Sequence, residues 1–262
     1  MSEETTEPSR RRGIYLLPNL FTTAALFCGF YAIISAINGS MLNEPVRFEY
    51  AAIAIFIAMV LDGLDGRVAR MTNTQSDFGA EYDSLADMVS FGVAPAMVMY
   101  LWVLNEIGKI GWFAAGWFAA FIYVVMGALR LARFNTQVGV ADKNYFQGLA
   151  SPSAAGIMAS TVWAGAENGI DPTNIVWLAF IITLFSGLMM VSNFRYSSFK
   201  GINFKDKVPF ITVVLTVLAL AVVAQSPAIV LFCIFWVYAL SGPVMTLRQI
   251  YIKRAEKKAK QQ

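Results

Sequence analysis

Residues 62–87 read DGLDGRVARMTNTQSDFGAEYDSLAD and join two strongly apolar stretches. The spacing is D-x2-D-G-x2-A-R-x8-G-x3-D-x3-D, and its set positions are Asp62, Asp65, Gly66, Ala69, Arg70, Gly79, Asp83 and Asp87. Carboxylates at a membrane boundary are costly unless paired, hydrated or holding cations, so the segment is a functional-site candidate by default. Asp62 and Asp65 stand three apart at the end of one apolar stretch, and Asp83 and Asp87 four apart at the start of the next. On helices each pair shares a face. A loop containing Gly66 and Gly79 is expected between the helices, so that both pairs point into one gap. Divalent cations there would neutralise four crowded carboxylates, and two ions about 3.5–4 Å apart would clamp a phosphate. Ala69 keeps the wall of such a site shallow, and Arg70 offers a cation to a phosphate or to a neighbouring aspartate.

The rest of the chain sets the environment of that segment. Of 262 residues, 57% are hydrophobic and 14% charged, whereas a soluble domain carries about a quarter charged residues. Eight apolar segments follow the polar N-terminus, at 14–37, 48–68, 84–104, 110–134, 148–168, 172–193, 208–225 and 227–250. Each approaches the ~20 residues that a membrane span needs. Each is expected to be helical, because a helix satisfies its own backbone in lipid. The predicted fold is an all-α integral membrane protein of about eight transmembrane helices. Its parts are a disordered cytoplasmic N-terminus (1–13), a transmembrane catalytic domain (14–250) and a basic cytoplasmic tail (251–262).

Arg10–Arg12 precede an apolar run that is too long for the core of a signal peptide and contains Pro18-Asn19, so it reads as an uncleaved first span. An even number of spans places both termini on one side. Arg10–Arg12, Arg67, Arg70, Arg130, Arg133, Lys143, Arg195, Lys200, Lys205, Lys207 and the tail share that side, against Arg47 and Lys109 on the other. This asymmetry puts the aspartates and both termini at the cytoplasmic face of the cell membrane.

The chain contains no histidine, which excludes a histidine base, a histidine triad and histidine-ligated zinc or haem. Cys28 and Cys233 lie apart in apolar runs and read as packing residues. Acid–base and metal chemistry therefore falls to carboxylates, which suit hard cations such as Mg2+ or Mn2+.

The full aspartate string resembles the signature of the CDP-alcohol phosphotransferase family, membrane enzymes that move a phosphate-containing group from a CDP-linked donor to an alcohol. The resemblance implies that Asp62, Asp65, Asp83 and Asp87 bind two divalent cations, with Asp87 also the catalytic base. Gly66, Ala69 and Arg70 would form part of the CDP pocket, with Gly79 beside them. Asn19 and Thr22, one turn apart on the first span, would hydrogen-bond the nucleotide or diphosphate. The family also implies a homodimer, and nothing points to nucleic acid as a partner.

Three further stretches lie on the side of the aspartates: GALRLARFN (127–135), FQGLASPSAAG (146–156) and VSNFRYSSFK (191–200). With the PNLFT run at 18–22 they resemble the phosphatidylserine synthase branch of the family. That branch implies transfer of a phosphatidyl group from CDP-diacylglycerol to L-serine. Arg130, Arg133, Arg195 and Lys200 are the candidate cations for the serine carboxylate. Two alternatives stay open: another acceptor, such as glycerol 3-phosphate or inositol phosphate, and a cation or proton transporter.

Overall fold

The computed structural model describes residues 16–72, 74, 76–109, 113–137, 145–197 and 223–259. Helices α1 (Leu16–Leu42) and α2 (Val46–Thr72), each of 27 residues, pack along one another. The short turn between them bends at Asn43, whose φ of 55° is a conformation that asparagine tolerates. The Ser35 hydroxyl donates to the Arg47 carbonyl at 2.7 Å and ties the helices together beside that turn.

Helix α3 (Asp77–Leu104) is 28 residues long. It is α-helical over Asp77–Asp87 and Ala94–Met99 and widens into π-turns at Met88–Val93 and Tyr100–Leu104. The short α4 (Glu106–Lys109) leads to α5 (Phe113–Gln137). Then follow β1 (Tyr145–Gln147), α6 (Ser151–Glu167), α7 (Pro172–Val191), β2 (Arg195–Ser197) and α8 (Pro227–Ala259). Among the described residues the bundle is helical as expected, apart from one antiparallel β1–β2 ladder that pairs Phe146 with Tyr196. Gly148 ends β1 at φ 77°, and a Cβ there would fall 2.2 Å from the Met190 carbonyl oxygen. Only glycine fits both requirements.

Five described helices, α1, α3, α5, α7 and α8, contain stretches long and apolar enough to cross a bilayer. The expected count of eight is not reached among the described residues. Helix α2 has the length, but Arg47, Glu49, Asp62, Asp65, Arg67 and Arg70 make it too polar to qualify by composition. Helix α6 has 17 residues, so it reaches about 26 Å at 1.5 Å per residue. The expected seventh span, 208–225, lies outside the described residues except for 223–225.

Helix α6 is the hub, with 12 of its 17 residues buried, mostly Ala, Gly and Ser. Small side chains let neighbouring backbones approach closely in a membrane bundle, and α2 and α8 both pack on this helix. A central helix need not be strongly apolar, because it does not face lipid. The outward faces of α1, α5, α7 and α8 carry Phe27, Phe121, Ile181 and Val237, all exposed.

Two prolines lie inside long helices, and each removes the N–H that would serve a carbonyl of the preceding turn. Pro95 in α3 follows the π-turn and offers no N–H to the carbonyls of that turn, among which that of Phe91 accepts from the Tyr123 hydroxyl on α5 at 3.0 Å. Pro243 in α8 leaves Ala239, whose carbonyl accepts from the Tyr196 hydroxyl at 2.9 Å. Both tyrosines are fully buried. Water cannot reach these carbonyls, so the tyrosines replace the missing backbone bonds.

Candidate active site

The site forms where the C-terminal part of α2 meets the start of α3, with α1 across both. The connection is shorter than the sequence reading expected. Helix α2 continues through Gly66 to Thr72, and α3 begins at Asp77, so Gly66 and Gly79 both lie on helices rather than in a loop. The start of α3 is set by Ser76, an extended N-cap residue whose hydroxyl accepts from the Gly79 N–H at 3.1 Å. That is the usual chemistry of a helix start. The two glycines act by leaving room. A Cβ at Gly66 would meet nothing within 4 Å, and one at Gly79 would face Ser76 Oγ at 3.2 Å and Asn19 Oδ1 at 3.5 Å.

The aspartates converge unequally. Asp62, Asp83 and Asp87 each present a carboxylate oxygen, and these three atoms lie within 4.8 Å of one another. Across the helix junction, Asp62 adjoins Asp87 and Asp65 adjoins Asp83. Asp65 is the most buried of the four, at 4% exposure, and its Oδ2 accepts a 2.8 Å hydrogen bond from the Thr22 hydroxyl. Asp83 Oδ1 is buried with no hydrogen-bond partner. An orphaned carboxylate oxygen beside two further carboxylates, with oxygen the only ligand type present, fits a hard divalent cation.

A cavity of about 420 Å³ opens beside this cluster. Asn19 and Thr22 line it from α1, Asp65, Gly66, Ala69 and Arg70 from α2, and Gly79 and Asp83 from α3. All six residues expected to hold the CDP moiety thus border one space. Thr74, Ser76, Asp77 and Ala80 also line it and were missed in the sequence. Ser76 was legible as a capping residue ahead of a helix. Thr74 gave no such signal: it is buried, and its hydroxyl pairs with that of Thr72 at 2.7 Å. Two hydrogen bonds brace the first turns of α3 from either side, Thr23 with Tyr82 at 2.9 Å and Asn135 to Ser84 at 3.0 Å.

The candidate cations separate. Arg130 reaches towards the aspartates: its Nη1 donates to Ser151 Oγ at 2.7 Å, and it acts electrostatically on Asp87 without closing to a contact ion pair. Its Nε is buried without a partner. Arg133 is engaged elsewhere, donating to the Val191 carbonyl at 3.3 Å, to Asn193 Oδ1 at 2.9 Å and to Gln147 Oε1. It ties the ladder to the end of α7. Arg195 is exposed on β2, where its N–H donates to Thr246 Oγ1 at 3.0 Å. Lys200 lies outside the described residues.

A helical membrane bundle with a carboxylate centre at one helix junction defines the class of this protein. The sequence model of CDP-alcohol phosphatidyltransferases matches residues 15–191, and the chain belongs to that family. It is similar to a CDP-diacylglycerol–serine O-phosphatidyltransferase of Helicobacter pylori, with 37% identity over 236 residues, covering 89% of this chain and 92% of that one. An enzyme of the same name from Methanocaldococcus jannaschii is 33% identical over 194 residues, covering 74% and 83%. One from Mycobacterium bovis is 31% identical over 239 residues, covering 88% and 77%.

Proposed function

We propose that this protein transfers a phosphatidyl group from CDP-diacylglycerol to the hydroxyl of L-serine, giving phosphatidylserine and CMP. The observation that carries the reading is the juxtaposition of the cavity with the convergent oxygens of Asp62, Asp83 and Asp87. Similarity to enzymes of that activity supports the choice of donor and acceptor.

In this reading the cavity holds the CDP moiety. Gly66 leaves it room, Asn19 offers hydrogen bonds, and Arg70 faces the diphosphate. Asp62, Asp65, Asp83 and Asp87 would hold two divalent cations, Mg2+ or Mn2+, whose charge would draw electrons from the diphosphate and stabilise CMP as it leaves. Asp87 accepts the serine hydroxyl proton as the new O–P bond forms and the bond between that phosphorus and CMP breaks. A carboxylate suffices as base because the proton departs after attack has begun. Arg130 faces the serine carboxylate beside Asp87, with Ser151 orienting its guanidinium.

The donor's acyl chains remain in the bilayer while its headgroup enters from the side. The same reading places residues 14–250 in one catalytic domain of a multi-pass protein of the cell membrane, with the site and both termini on the cytoplasmic side, between terminal segments 1–13 and 251–262. It also includes a homodimer. The test is CMP release by purified protein with CDP-diacylglycerol, Mg2+ or Mn2+, and a panel of serine, glycerol 3-phosphate and inositol phosphate. Serine-dependent release is expected. Release with another acceptor alone replaces the substrate, and no release with any acceptor defeats the proposal.

A further inference from the structure

We infer that Tyr123 is a positioning residue for Asp87, acting through the π-turn Met88–Val93; the inference rests on the reading of Asp87 as proton acceptor. Asp87 is the residue immediately before that turn. A π-turn holds one residue more than the α-turn it replaces, which resets the helix phase by about 100°. Asp83 and Asp87 stand on one side of it and the packed segment Ala94–Met99 on the other. The turn therefore decides which way the two carboxylates face.

Wide turns are rare and need outside support, and this one is gripped from two helices. On the α1 side, the Ser90 hydroxyl donates to the Ala25 carbonyl at 3.1 Å. Gly29 lets that helix approach so closely that a Cβ there would sit 2.7 Å from Ser90 Cα. On the α5 side, the Tyr123 hydroxyl donates to the Phe91 carbonyl, and Gly127 faces Gly92, whose Cα lies 3.8 Å from where a Cβ would be. Ser90, Phe91 and Gly92 all belong to the turn. Tyr123 is thus the polar hold from α5, which two turns further on carries Arg130.

The molecule supplies its own control. Tyr196 makes the same bond to the carbonyl orphaned by Pro243, in a helix that carries none of the four aspartates. Tyr123→Phe, Ser90→Ala and Tyr196→Phe are compared with wild type by thermal unfolding in detergent and by steady-state CMP release. Tyr123→Phe and Tyr196→Phe are expected to lower the melting temperature alike. Tyr123→Phe and Ser90→Ala are expected to lower kcat by about tenfold or more, since small misplacements of reacting groups are costly. KM for both substrates should stay within about twofold, as for an interaction that matters in the transition state. Wild-type kcat in Tyr123→Phe, or an equal fall in Tyr196→Phe, overturns the inference. Should Tyr123→Phe fail to fold, Ser90→Ala decides, and wild-type kcat there overturns it. A wild-type protein that releases no CMP sinks the functional reading, and this inference with it, which separates the two failures.

Discussion

Thr22 and Asp65, 43 positions apart in the chain, are joined by a 2.8 Å hydrogen bond from the first helix to the second. Both are buried, at 4% exposure each. The bond holds one carboxylate against α1 and leaves Asp62, Asp83 and Asp87 as the group whose oxygens converge. Replacing the hydroxyl by a methyl in Thr22→Val keeps the shape and removes the donor. The expected loss is about 1.5–3 kcal/mol, the range for a hydrogen bond to a charged group. Thermal unfolding in detergent checks it, and Thr22→Ser should recover most of the loss.

With divalent ions held at the carboxylate centre as proposed, stability is expected to depend on them. In chelator the crowded aspartates repel, so Mg2+ or Mn2+ should raise the melting temperature, with a gain of about 2.7 kcal/mol at a hundredfold excess over Kd. Asp83→Asn removes one charge and the orphaned oxygen's demand for a cation. This variant should melt higher than wild type in chelator and gain little from added ion. An ion-induced shift as large as the wild type's would contradict the assignment.

Asp87→Asn preserves size and removes basicity. The expected fall in kcat is roughly 10²–10⁴-fold, the usual contribution of general acid–base catalysis. Because Asp87 is also a proposed cation ligand, binding of CDP-diacylglycerol is followed by equilibrium titration at saturating Mg2+, where it should survive. Turnover within about tenfold of wild type would remove Asp87 from the role of base.

Gly66 and Gly242 predict opposite outcomes. Nothing stands within 4 Å of a Cβ at Gly66, so Gly66→Leu should fold at least as well as wild type, because leucine is the better helix former. Its side chain would occupy the cavity and raise KM for CDP-diacylglycerol. At Gly242 a Cβ would fall 2.3 Å from Tyr196 Cζ. Gly242→Ala should therefore cost about 1–3 kcal/mol of stability by overpacking, with KM little changed. Melting curves alongside substrate titrations separate the two.

Arg130 and Arg133 are expected to part company in kinetics. Arg130→Lys loses a planar fork beside Asp87 and should raise KM for serine by about tenfold, equivalent to 1.4 kcal/mol. Arg133→Lys weakens the hold on Gln147, Val191 and Asn193 and should lower melting temperature without moving that KM. Equal serine KM values for the two variants would reject the distinction.

The residue types of the site were legible because they obey local rules. The absence of histidine left carboxylates as the working groups, and three- and four-residue spacing put each aspartate pair on one helix face. What sequence reading placed wrongly was continuity: Gly66 and Gly79 looked like loop residues, yet they lie within helices. A glycine facing empty space and a glycine in a turn look identical in sequence. The eight spans were read from apolarity alone, a signal that weakens for α6, whose small residues face other helices instead of lipid.

The sequence by itself determined that this is a helical membrane protein with a carboxylate site at one helix junction, since composition and short-range spacing depend only on neighbours along the chain. Only the tertiary structure decided that Asp62, Asp83 and Asp87 meet while Asp65, beside Asp83, is bonded to Thr22, and that Arg130 approaches them while Arg133 braces the ladder. Those outcomes depend on the rotational phase of one helix against another. In α3 that phase is set by the π-turn ahead of Pro95, which Ser90 and Tyr123 tie to two different helices.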